Sequence, residues 1–236
     1  MPTTLTQIET LARKRLVEVT PRFWTSVELI EIIAAGCRDL WRDIVDLKQE
    51  YYLVINDTDV TYPANGGALI GVPNDIHKIY MIEPRDISEN SANPGVNFRP
   101  LDWNHLDFQA ARSRSAVEAS SVTLYYAITG QGAPVGAPVI RVAPKVSSAM
   151  NVTLAYVPTL GPLEAGSIVP VPGEADNALV AWTVAFALAK QSEDKSPDAN
   201  WLSIYSTEKT HLLQSLGLRQ LQEPQFVEAV FSEYWS

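Results

Sequence analysis

The sequence predicts an α+β fold: an antiparallel helical bundle built from both chain ends, with an inserted small β-sandwich or barrel-like domain. Three observations carry this. Apolar residues recur at helical spacing over the first fifty residues and again from 174 to 217. Between those stretches, short β-branched and aromatic runs are broken by Pro, Gly, Asn and Asp. The 236 residues, 46% hydrophobic and 19% charged, suffice for a folded core. The expected parts are 1–50 and 174–217 for the bundle, 51–173 for the β domain and 218–236 for a C-terminal arm.

Two helices open the chain. Thr6 and Glu9 fit a capping box, with Ile8, Leu11, Ala12, Leu16 and Val19 on one face and Pro21 as the stop. Thr25 and Glu28 form a second box, with Trp24 and Leu29 as its hydrophobic staple. Ile30, Ile33, Ala34, Cys37, Trp41, Ile44 and Val45 mark the buried face of a helix reaching about residue 48. Arg38, Asp39, Arg42 and Asp43 form its polar side, each Arg placed to pair with a nearby Asp. Trp24 and Trp41 read as core residues, with interface anchoring as the other use of tryptophan.

The β part begins with an extended run at 51–56, a turn, and a second run at 60–62. Residues 76–83 (IHKIYMIE) form the next strand, and neither of its faces is cleanly polar. A Pro-, Asn- and Ser-rich excursion covers 84–98, and a short helix follows over 101–114. Strands are expected at 119–128, 138–143 and 151–157, the last two joined by a turn at 144–148. After the breaker Pro170-Val171-Pro172-Gly173, Asp176 caps a helix to about 191. Ser196-Pro197 then starts a second helix that Gly217 ends. Beyond it, Phe226, Val227, Val230, Phe231, Tyr234 and Trp235 place bulky apolar groups near the end of the sequence. That segment either packs back on its own domain or docks on a neighbour.

The sequence carries few signs of chemistry. The chain holds none of the zinc-protease, phosphate-loop, dinucleotide or nucleophile-elbow motifs. His77, His105 and His211 are not at ligand spacing, and the glycines at 66–67 and 130–132 lack a strand–helix frame. The carboxylates Asp57 and Asp59, or Asp102 and Asp107, do not announce an acid–base pair. No catalytic, cofactor-binding or metal-binding residue is therefore assigned, and no enzyme is expected. Cys37 is the single cysteine and reads as a buried small hydrophobe, so no internal disulfide forms. No apolar leader follows MPTTLTQIET, and no run of eighteen apolar residues exists, so a soluble, non-membrane chain is expected. The net charge of −9 and the lack of a basic block speak against a nucleic-acid groove.

Several patches resemble the head-to-tail adaptor (connector) proteins of tailed bacteriophages, of the tail-tubular type. They are Phe23-Trp24-Thr25 before its helix, and the Gly71-Val72-Pro73-Asn74-Asp75 approach to the strand at 76. Arg99-Pro100-Leu101, the strand–turn–strand–turn–strand order of 124–156 and the helical pair of 177–216 complete the set. The resemblance spans about 210 residues, and no motif in it is specific alone. It implies a virion protein at the head-to-tail junction, assembled in the host cytoplasm, which docks under the portal, joins capsid to tail and takes part in genome ejection. It also implies portal and tail or nozzle partners, and a ring of twelve copies through which double-stranded DNA passes without specific contact. Such a ring would carry about −108 formal charges, favouring an acidic lumen over which DNA slides. Portal contact would fall to Phe226, Val230, Phe231, Tyr234 and Trp235. The other readings are a different tail or stopper component and an unrelated soluble enzyme.

Overall fold

The computed structural model describes residues 3–18, 20, 22–56, 59–85, 96–118, 122–130, 138–192 and 195–218. These residues form an α+β protein with five α-helices and two sheets, neither closed into a barrel. The chain divides into two compact units: 1–48 with 160–236, and 49–159.

The first unit is helical. Helix α1 spans Leu5–Arg15, α2 Ser26–Leu47, α4 Asp176–Leu188 and α5 Ala199–Leu218; α3 lies in the other unit. The capping box of α1 is Thr4 with Gln7, two residues before the expected Thr6 and Glu9. Both spacings satisfy the pattern, and long-range partners decide between them. The Leu5 and Thr6 N–H groups, orphaned at a helix start, donate to the Ser167 and Ala165 carbonyls at 3.1 and 3.2 Å. Val169 N–H returns the bond to Thr3 O at 2.8 Å. Residues 160–173 are thereby held to the start of the chain and belong with the helices rather than with the strands.

Helix α2 starts as the sequence indicates, with the Thr25 and Glu28 box in place and Trp24, Leu29 and Ala187 packed together. Its buried face carries Ile30, Ile33, Cys37, Leu40, Trp41 and Ile44. Helix α4 is apolar on nearly all sides because it packs against α1, α2 and α5 together. Asp176 does not cap it: Ala175 holds that position, and the Asp176 carboxylate accepts the Thr3 hydroxyl at 2.8 Å. Asp198 rather than Ser196 accepts the Trp201 N–H at the start of α5. Gly217 lies inside α5 and does not terminate it.

The second unit holds the strands β1 (Val54–Asn56), β2 (Thr61–Tyr62), β3 (Ile76–Pro84), β4 (Asn97–Pro100), β5 (Thr123–Thr129), β6 (Val139–Ala143) and β7 (Met150–Pro158). Residues 49–52, expected in part as strand, form a 3-10 turn before β1. Strand β7 is the spine of the first sheet, pairing antiparallel with β1 and β2 along one edge and β3 along the other. The second sheet has the order β4-β5-β6, with β4 parallel to β5. Side chains of both sheets meet in one core, among them Tyr62, Ile82, Leu124, Ile140, Val152 and Leu154.

Two register shifts in β3 explain its ambiguous pattern. They fall between Ile76 and Lys78 and between Ile79 and Met81. Each extra residue turns the period from two to three, so Ile76, Ile79 and Ile82 face inward. The strand is not covered on both sides: Tyr80 and Met81 are exposed. Helix α3 (Leu106–Arg112) lays Phe108 and Ala111 over Ala127 of β5 and Ala143 of β6.

Candidate assembly surfaces

Charged side chains tie residues 22–24 to the end of α1. Arg13 is buried; its Nε donates to Glu9 Oε1 at 2.8 Å and its Nη2 to Trp24 O at 3.1 Å. Glu18 accepts the N–H groups of Arg22, Phe23 and Trp24, which hold its carboxyl below the ordinary 4.5 against the desolvation that would raise it. Trp24 Nε1 donates to Ala187 O at 2.8 Å, so this tryptophan is a core anchor with its polar edge satisfied.

Next to it runs a surface groove of about 380 Å³ lined by Trp24, Glu31, Ile32, Ala35, Phe186 and Ala187. Its rim is a Glu28–Lys190 pair at 2.8 Å. The Lys190 ammonium, with the Thr25 N–H and hydroxyl, holds the Glu28 carboxyl down at about 2. Lys190 also donates to Phe23 O at 2.8 Å and sits 4.9 Å from the half-exposed Phe23 ring.

On another face, α5 is tied to α2 by Lys209, which pairs with Asp39 at 2.7 Å and also with Asp43. The Tyr205 hydroxyl donates to the same Asp39 carboxylate. The expected pairing of these aspartates with Arg38 and Arg42 gives way to this interhelical one. Partial burial would raise the Asp39 carboxyl, and the donors Lys209 and Tyr205 hold it below its ordinary 3.8. Burial and the Asp39 carboxylate push the Tyr205 phenol up, which keeps it a donor. Beneath this staple, Trp182 lies on Gly36, where a Cβ would stand 2.7 Å from Trp182 Cδ1.

The β unit carries a basic pocket that the sequence reading missed. Its walls include Gly67, Trp103, Phe108, Arg112, Arg141 and Lys145, around a cavity of about 390 Å³. The Arg112 guanidinium lies 4.3 Å from the centre of the Trp103 ring, and its Nη1 donates to Gln109 Oε1 at 3.0 Å. Among the described residues no carboxylate lines the pocket and no ion pair engages its three cations. The cations come from α3, β6 and the turn after β6, so no sequence window holds them together.

The remaining candidates do not converge. Exposed His77 lies on β3, His211 on α5, and His105 caps α3 by accepting the Asp107 N–H at 3.2 Å. Among the described residues no three His, Cys, Asp or Glu side chains group as a metal site. Cys37 is buried, and burial pushes its thiol up to about 12, which keeps it unreactive. Asp57 and Gly132 lie outside the described residues, as do the expected portal-contact residues Phe226, Val230, Phe231, Tyr234 and Trp235. No helix among the described residues is long and apolar enough to cross a membrane.

Comparison with known proteins agrees with an assembly role. No curated protein matches the chain. The family model described as SU10 adaptor protein matches residues 3–225, a stretch that runs through both units. The family is one of structural phage adaptors and not a known enzyme family; its members are virion components, and membership implies interaction with portal and tail proteins. The chain belongs to the SU10 adaptor protein family of phage head-to-tail adaptors.

Proposed function

We propose that this adaptor docks under the portal as a ring of twelve copies, joins capsid to tail and forms part of the channel through which double-stranded DNA leaves the head. The family match across residues 3–225 carries the reading. The helical unit, drawn from both chain ends, is read as an antiparallel bundle that builds the ring. The strand unit is read as a small sandwich inserted into it, and tail or nozzle proteins are the partners on the side away from the capsid. Assembly takes place in the host cytoplasm. The excess of acidic residues suits a lumen over which the duplex slides without sticking.

The arm 218–236 is assigned to the portal. It holds Phe226, Val230, Phe231, Tyr234 and Trp235, and aromatic anchors of this kind dominate binding energy where they enter pockets. Truncation after Gly217 tests this. The truncated chain is expected to keep its far-ultraviolet spectrum and melting midpoint and to lose co-sedimentation with the portal ring. A truncated chain that still co-sediments removes the arm from the interface.

A further inference from the structure

We propose that the pocket of Arg112, Arg141 and Lys145 receives carboxylates from a second copy of this chain, and so forms one half of a subunit contact. The inference rests on the ring reading only in requiring that copies meet. Three cations line a concavity of about 390 Å³, and no described residue of its lining is an acid. Arg112 is set in advance by the Trp103 face and by Gln109, so little side-chain freedom is lost when an anion arrives. Arg141 extends from a paired strand, opposite Ala127, which fixes its backbone. Guanidinium groups present paired N–H donors that match the two oxygens of a carboxylate.

The chain itself supplies the complement. It carries 27 acidic against 18 basic residues, so any neighbour of the same sequence presents excess carboxylates. A pocket on one copy and acids on the next make a head-to-tail contact, the kind that closes into a ring. Duplex DNA is the poorer occupant. Three cations neutralise about three phosphates, fewer than the roughly six to ten contacts of a protein held to DNA by its phosphates.

The test uses the full chain. Sedimentation velocity compares wild type, Arg141→Glu and Lys145→Glu, each alone and with the portal ring, in low and high salt. A short DNA duplex is offered in parallel. Wild type is expected to assemble and to weaken with salt, and both variants to assemble roughly tenfold less well, at unchanged melting midpoints. Lys145 is exposed in a turn, so its variant decides if Arg141→Glu does not fold. Variants that assemble like wild type overturn the inference and leave the ring reading intact. A duplex retained by wild type and lost by the variants overturns it in favour of a nucleic-acid site. A wild-type chain that never assembles overturns both.

Discussion

Val17 stands at φ 57°, in the left-handed region, just beyond the end of α1. Glu18 N–H reaches back to Arg13 O at 3.1 Å, the bond of a Schellman-type close. Glycine usually fills this place, because a β-branched side chain is strained there by about 1–3 kcal/mol. The Val17 side chain is 90% exposed and has little packing to offset the strain. Val17→Gly is therefore expected to raise stability, by about 1 kcal/mol once the added freedom of the unfolded chain is subtracted. The denaturant midpoint reads it, and an unchanged or lower midpoint refutes the strain. The sequence hid this feature, since the expected helix runs on to Pro21 and takes Val17 into its interior. Gly36 was hidden for the opposite reason. Its helical spacing is ordinary, and only Trp182, far along the chain, shows that a larger residue does not fit.

Among the elements, α2 was the most legible, from its capping box and staple to its buried stripe. All of its start signals are local, and nothing distant competes with them. Helix α1 and strand β3 show where local reading stops. Two capping boxes overlap at the start of α1, and carbonyls about 160 residues away select one. Bulges in β3 break the alternation that face assignment depends on. The polar staples between elements set a pH dependence. Glu28 is held at about 2 against an ordinary 4.5, and Glu18 and Asp39 are also held low. Over this range the unfolded chain binds more protons than the folded one, so stability rises with pH. The contribution is present in full above about pH 4.5 and is lost as pH falls through 4.5 toward 2. Melting midpoints between pH 6 and pH 2.5 are expected to fall, and Glu28→Gln to flatten part of that fall. A Glu28→Gln profile with the wild-type slope would remove Glu28 from the effect.

At the scale of the whole molecule, the helix–strand–helix order was legible because each part has its own hydrophobic period. The strand order was not, because β7 became the spine of the first sheet through pairings with segments about 70 to 100 residues away. The basic pocket was illegible for the same reason, its cations lying on separate elements. Family membership came through a series of individually weak patches, spread over both units as the matched residues 3–225 are. The proposed function requires that copies of this chain join a portal as a closed ring. Native mass measurement of the chain mixed with the portal ring of its phage tests it most directly. A single complex with twelve copies bound per portal ring is expected; a portal ring that gains no mass, or gains it without fixed stoichiometry, contradicts the claim.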